Sequence, residues 1–214
     1  LLSLAKLLRS IESVDDQNIS EFLLLAASES LRYTNKMVSY NTTYNKIGDF
    51  FRNNSFTPPT YPVENNVWGA KWGSGTFSAM FDMVKTGVEY ANSPTERYIR
   101  DGESVETPDF SQSIGKSADI RQGDMRQLDY EDEFDAVITD PPYYDNIIYS
   151  EVADYFYVWQ KILLEDEYPA FRDDKTPRAE SIVTNPYLEK TAEDFESELG
   201  QAFTVIKRAL KDNG

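Results

Sequence analysis

Cysteine and histidine are both absent from the 214 residues. Their absence rules out disulfides, zinc sites built on Cys or His, a thiol nucleophile and imidazole acid–base chemistry within this chain. No apolar run approaches the roughly 18 residues that a membrane span needs, so the chain is expected to be soluble and cytoplasmic, with no membrane partner. The opening "LLSLAKLLRS" has no initiator Met and no charged region ahead of its apolar residues. It reads as the start of a fragment of a longer protein rather than as a signal peptide. Basic residues are scarce as well: 21 Lys and Arg stand against 37 Asp and Glu, a net charge of −16. Such a surface repels nucleic acid by default, because phosphate contacts need Lys and Arg. It fits a protein that avoids nucleic acid, or one adapted to a very salty cytoplasm where acidic surfaces are general. The acids are spread along the chain rather than gathered in a tail, which favours the second. What is present suffices for a core, with 40% of residues hydrophobic and 14% aromatic.

Leu1, Leu4, Leu7, Leu8 and Ile11 form one face of a short helix. Asp15, Asp16 and Asn18 break it, and Ser20 is expected to cap a longer helix with Phe22, Leu25, Ala26, Leu31 and Met37 inward. Residues 1–56 therefore read as a helical packing region. Residues 57–118 read as a loop-rich insertion with one helix over 77–90, where Phe77, Met80, Phe81, Val84 and Val88 keep helical spacing. Gly73, Ser74 and Gly75 precede that helix. They are either a glycine loop that cradles a cofactor or a flexible turn capped by Ser74 or Thr76. The polar residues 92–118 read as a long loop.

From residue 119 the pattern changes. "ADIRQGDMRQL" predicts a short strand ending at Gly123-Asp124, and "FDAVITD" predicts a buried parallel strand ending at Asp140. A helix follows from Tyr149, with Val152, Tyr155, Phe156, Trp159 and Leu163 on one face. A proline-broken loop leads to a last helix from about Thr191, with Phe195, Leu199, Ala202, Phe203, Ile206 and Leu210 inward. Strand, strand, helix, helix is the grammar of an open parallel α/β sheet, whose ligands sit beyond the carboxyl ends of the strands. Asp140, Pro141, Pro142 and Tyr143 occupy that position. Proline carries no N–H, and an ionised Asp only accepts, so the step presents acceptors without donors. Its natural ligand is an NH2 group, and Tyr143 adds a flat face for a planar ring. A stiff turn is the plainer reading of Pro-Pro, but the flanking acid and aromatic make the tetrad more specific.

"TDPPYYDN" resembles motif IV of the S-adenosylmethionine-dependent amino-methyltransferases that act on adenine N6 or cytosine N4 in DNA. The longer "DAVITDPPYYDNIIYSEVADYFYVWQK", with "TPRAESIVTNPY" after it, is similar to large prokaryotic adenine-specific DNA-methylase-like proteins. The resemblance implies an α/β fold, a partial Rossmann-like class I methyltransferase sheet over 119–214 carrying motif IV. It implies S-adenosylmethionine as cofactor, contacted at Gly123 and Asp124, although Asp124 is equally read as a helix N-cap. It makes Asp140 and the carbonyl of Pro141 or Pro142 the acceptors of the amine hydrogens. Tyr143 would stack on a flipped base, and Tyr144, Asp145 and Asn146 would line the rim on the substrate side, with Asn185, Pro186 and Tyr187 closing over it. DNA is the expected partner and no metal is expected. RNA guanine-N2 methylation and a non-catalytic binding module remain the alternatives. The family's glycine-rich cofactor loop is expected either upstream of Leu1 or at Gly73 to Gly75.

Overall fold

A computed structural model describes residues 1–51, 61–69, 73–107, 112–145 and 147–212. Among these the fold is mixed α/β, with five α-helices and two small antiparallel sheets. The chain divides into two compact units, Leu1–Ala118 and Asp119–Gly214. No helix among the described residues is long and apolar enough to cross a membrane.

In the first unit, helix α1 (Leu2–Glu12) buries Leu4, Leu7, Leu8 and Ile11, the predicted face apart from Leu1, which precedes the helix and is exposed. Helix α2 (Gln17–Ser30) starts earlier than expected. Its N-cap is Asp16, whose carboxylate accepts from the Ile19 N–H. Ser20 lies one turn inside and donates its hydroxyl to the Ile11 carbonyl, tying α2 to α1. The buried face of α2 also differs: Ala26 and Leu31 are buried as expected and Met37 half so, but Phe22 and Leu25 are exposed while Leu24 and Ala27 are inside. "FLLLAA" is apolar all round, so spacing alone cannot choose the phase. The small residues Ala26, Ala27, Ser28 and Ser30 choose it by letting neighbouring helices approach closely. Strands β1 (Tyr40–Asn41) and β2 (Lys46–Ile47) pair antiparallel inside the stretch read as a helical packing region, and Asn45 takes the positive φ that turns the chain between them. Helix α3 (Phe77–Asn92) is capped by Thr76 and packs on α2. Only Met80 of its predicted inward face is buried.

Residues 97–106 correct the expected long loop. Strands β3 (Arg97–Arg100) and β4 (Glu103–Glu106) form a hairpin, Arg97 opposite Glu106 and Arg100 opposite Glu103. Asp101 and Gly102 both have positive φ, the type I′ geometry that Asp-Gly favours.

In the second unit, helix α4 (Tyr149–Leu164) begins where predicted, and its buried anchor is Tyr157. That ring stacks on Phe171 at 5.2 Å, and its hydroxyl donates to the carbonyls of Ala170 and Asp173. Helix α5 (Ala192–Ala209) opens on a complete capping box between Thr191 and Asp194 and buries Phe195, Ala202 and Ala209. Neither predicted strand lies in a sheet among the described residues. Asp124 instead caps a 3₁₀ turn, Met125–Gln127. Residues 135–140 follow a single parallel bridge between Phe134 and Leu210. A strand needs neighbours, and among the described residues neither predicted strand has a paired one, so Ile120 is 93% and Ile138 97% exposed.

Candidate active site

The tetrad sits where an unpaired segment ends. Pro141 and Pro142 are half-buried and, with Asp140, wall a cavity of about 280 Å³. Tyr149 at the start of α4, Val183 and the α5 residues Ala202 and Ile206 complete it. Ligand pockets commonly run from roughly 300 to 1,000 Å³, so this volume suits one ring system rather than a whole nucleoside-type cofactor.

The Tyr143 hydroxyl donates to Asp140 Oδ1 at 2.7 Å. That hydrogen bond to the carboxylate holds the Tyr143 phenol above its ordinary pKa. Among the described residues no donor reaches Asp140 Oδ2, so one carboxylate oxygen stays open. Tyr143 is 49% exposed and can present a ring face.

Tyr144 behaves differently. It adopts φ +52, its carbonyl accepts from the Thr184 N–H at 3.2 Å, and its ring meets Phe195 edge-on at 5.2 Å. The side chain is thus half taken by packing, and its backbone pins the turn after the tetrad to the loop before Asn185. Asp145 is exposed at the same turn. Asn146 lies outside the described residues. Asn185 is only 3% exposed and caps the 3₁₀ turn Pro186–Leu188 through the Tyr187 N–H. Tyr187 projects into solvent.

Gly123 and Asp124 offer little to a cofactor as they stand. The Asp124 carboxylate caps the 3₁₀ turn and receives Arg126 at both oxygens, Nε at 3.0 Å and Nη2 at 2.7 Å. The Arg126 hydrogen bond pulls Asp124 below the usual carboxylate range. A Cβ added at Gly123 would meet only Leu128 at 3.7 Å, an ordinary contact, so no close backbone approach demands glycine there. The N-cap reading of Asp124 is the one its geometry follows.

The same Arg126 leads to residues that sequence reasoning missed. Its Nη1 lies 3.2 Å from Glu198 Oε1, and Glu198 Oε2 accepts from Lys190 Nζ at 2.8 Å. Lys190 also donates to the carbonyls of Ala179 and Ser181, and Arg126 to that of Glu180. Two largely buried cations thereby fasten residues 179–181 to α5. A second clamp joins α4 to the proline-broken loop: Asp154 accepts from the Thr176 N–H and hydroxyl and from Arg178. Burial raises the Asp154 carboxyl, but these donors outweigh it and leave the pKa lowered. The partners are far apart in the chain, and only generic charge alternation marks them in sequence.

The glycine loop belongs to the first unit. The leading amides of α3 are already taken: Phe77 N–H donates to the Val67 carbonyl, Ser78 N–H to that of Trp68, and Ala79 N–H to Thr76 Oγ1. A phosphate finds no free helix-end donors there. Gly75 has φ +71, and a Cβ on it would fall 2.1 Å from Tyr33 Cγ, so glycine is needed for packing. Among the described residues no group of three or more His, Cys, Asp or Glu is placed to hold a metal ion. Compared with protein-family models, curated proteins and solved structures, the chain matches none.

Proposed function

We infer that this chain carries the base-binding part of a DNA amino-methyltransferase acting on adenine N6 or cytosine N4, with adenine the favoured target. One observation carries the reading: the acceptor-only step Asp140, Pro141 and Pro142 lines a ring-sized cavity, and the Tyr143 hydroxyl donates to Asp140 at its edge. Asp140 Oδ2 and a proline carbonyl accept the two hydrogens of the exocyclic amine, which leaves the nitrogen lone pair free to attack. Tyr143 covers the flipped base, and the surplus proton leaves to solvent at this exposed rim. S-adenosylmethionine enters through the resemblance of "TDPPYYDN". Gly123 and Asp124 as they stand form no cradle for it, so the roles above are confined to the base. The parallel bridge between Phe134 and Leu210, extended by the Lys211 N–H to the Phe134 carbonyl, supports a Rossmann-like sheet as the scaffold. A cytoplasmic site of action accompanies this reading.

The test is methyl transfer from labelled S-adenosylmethionine by the full-length protein, offered DNA and RNA in parallel. Label in DNA that disappears in Asp140→Ala supports the reading, and label in RNA alone replaces the substrate. The engagement of Asp124 by Arg126 favours a second reading, a binding module without catalysis. Nucleic-acid binding without transfer to either substrate would establish that one.

A further inference from the structure

The first unit holds a larger cavity, about 650 Å³, within the range of small-molecule sites. Its position follows from the β1–β2 hairpin. The register sets Asn41 opposite Lys46, so both side chains stand on one face and both line the cavity. Tyr33 and Met80 line it from α2's following turn and from α3, and Tyr44 and Met83 add a second aromatic ring and thioether. Tyrosine faces and methionine sulfurs favour a flat, polarisable ring over an aliphatic group.

Two charged side chains line the cavity, Asp49 and Lys46. Asp49 is ion-paired with Arg32, which Glu29 also engages, and its other oxygen accepts from the Phe51 N–H. Lys46 makes no ion pair among the described residues, although acids outnumber bases 37 to 21. Its ammonium instead stands 5.7 Å from the Tyr44 ring centroid. Asn41 Oδ1 accepts from the Tyr44 N–H, which leaves the amide NH2 as a donor beside that ammonium. A cation with no ion-pair partner among the described residues, an amide donor and the Tyr44 ring around one cavity match a ligand with a planar ring and a single anionic group.

We propose that this cavity binds a planar aromatic anion of the nucleoside-monophosphate class, with Lys46 and Asn41 at the anion and Tyr44 and Met83 on the ring. The site stands apart from the tetrad and does not depend on the methylation reading. Adenosine 5′-monophosphate is the probe, titrated into the intact chain with intrinsic fluorescence and calorimetry as readouts. Saturable binding is expected, with adenosine and inorganic phosphate each weaker by about tenfold or more, because each lacks one of the two recognised parts. Lys46 and Tyr44 are exposed, so Lys46→Met and Tyr44→Ala should keep the wild-type circular dichroism and each weaken the probe by about tenfold. A short single-stranded oligonucleotide that binds more tightly than the monophosphate would identify a polymer's phosphate as the source. The monophosphate binding as tightly as the oligonucleotide would identify a free nucleotide. No saturable binding at millimolar probe, equal binding of adenosine, or wild-type affinity in Lys46→Met would overturn the proposal.

Discussion

Asp140 holds one hydrogen bond on Oδ1 and has no donor on Oδ2 among the described residues, so the Tyr143 hydroxyl and the amine of the proposed substrate need not exclude each other. That division separates two variants. Tyr143→Phe keeps the ring and should keep most of the methyl transfer, whereas Tyr143→Ala removes the stacking face. Base–aromatic stacking is worth about 1–3 kcal/mol per base, so the alanine variant should lose roughly 5- to 160-fold in kcat/KM. Comparable loss in both variants would mean that the hydroxyl, not the ring, matters. The tetrad was legible because its chemistry is local: four consecutive residues contain the acid, the donor-free step and the ring. The charge hub was not, because Arg126, Lys190 and Glu198 meet only through folding. Arg126→Met leaves Asp124 and Glu198 without their shared cation and should cost about 2 kcal/mol in urea unfolding. Its pH dependence has a definite sign. Asp124 is lowered in the folded state, so its contribution is fully present above the ordinary carboxylate pKa of about 3.9 and is lost as pH falls through the folded value. In Arg126→Met the loss of stability below about pH 4 should therefore be shallower than in the wild type.

At the scale of elements, helices announced themselves by period and cap. The apolar-periodic run placed the start of α5 at about Thr191, where Thr191 and Asp194 form a capping box. Thr191→Ala should cost about 1 kcal/mol in thermal or urea unfolding, and no change would mean that the box is redundant. The β elements were harder for physical reasons. In β3 and β4, "RYIR" and "ESVE" show no alternation of apolar and polar residues, because neither face of the hairpin is buried, and Asp101-Gly102 was its one strong signal. Residues 135–140 erred the other way. Their apolar run is that of a buried strand, but a run specifies burial only when neighbours exist to supply it. Ile138 stays exposed without them.

For the whole molecule, the net charge of −16 is the dominant long-range term. Like charges spread over a folded surface oppose compaction, and salt shortens their reach from about 10 Å at 0.1 M to about 3 Å at 1 M. Raising KCl over that range should raise the melting temperature. A fall would mean that the ion-pair hubs outweigh the repulsion. The same charge sets a demand on the proposed function: DNA as a substrate would have to be held by a few local contacts rather than by a basic field, so the tetrad's fit to its base would have to matter. Nucleoside mass spectrometry of DNA treated with the full-length protein and S-adenosylmethionine tests that most directly. The account predicts N6-methyldeoxyadenosine or N4-methyldeoxycytidine with the wild type and neither with Asp140→Ala. Methylated nucleoside formed at the wild-type rate by Asp140→Ala would contradict it.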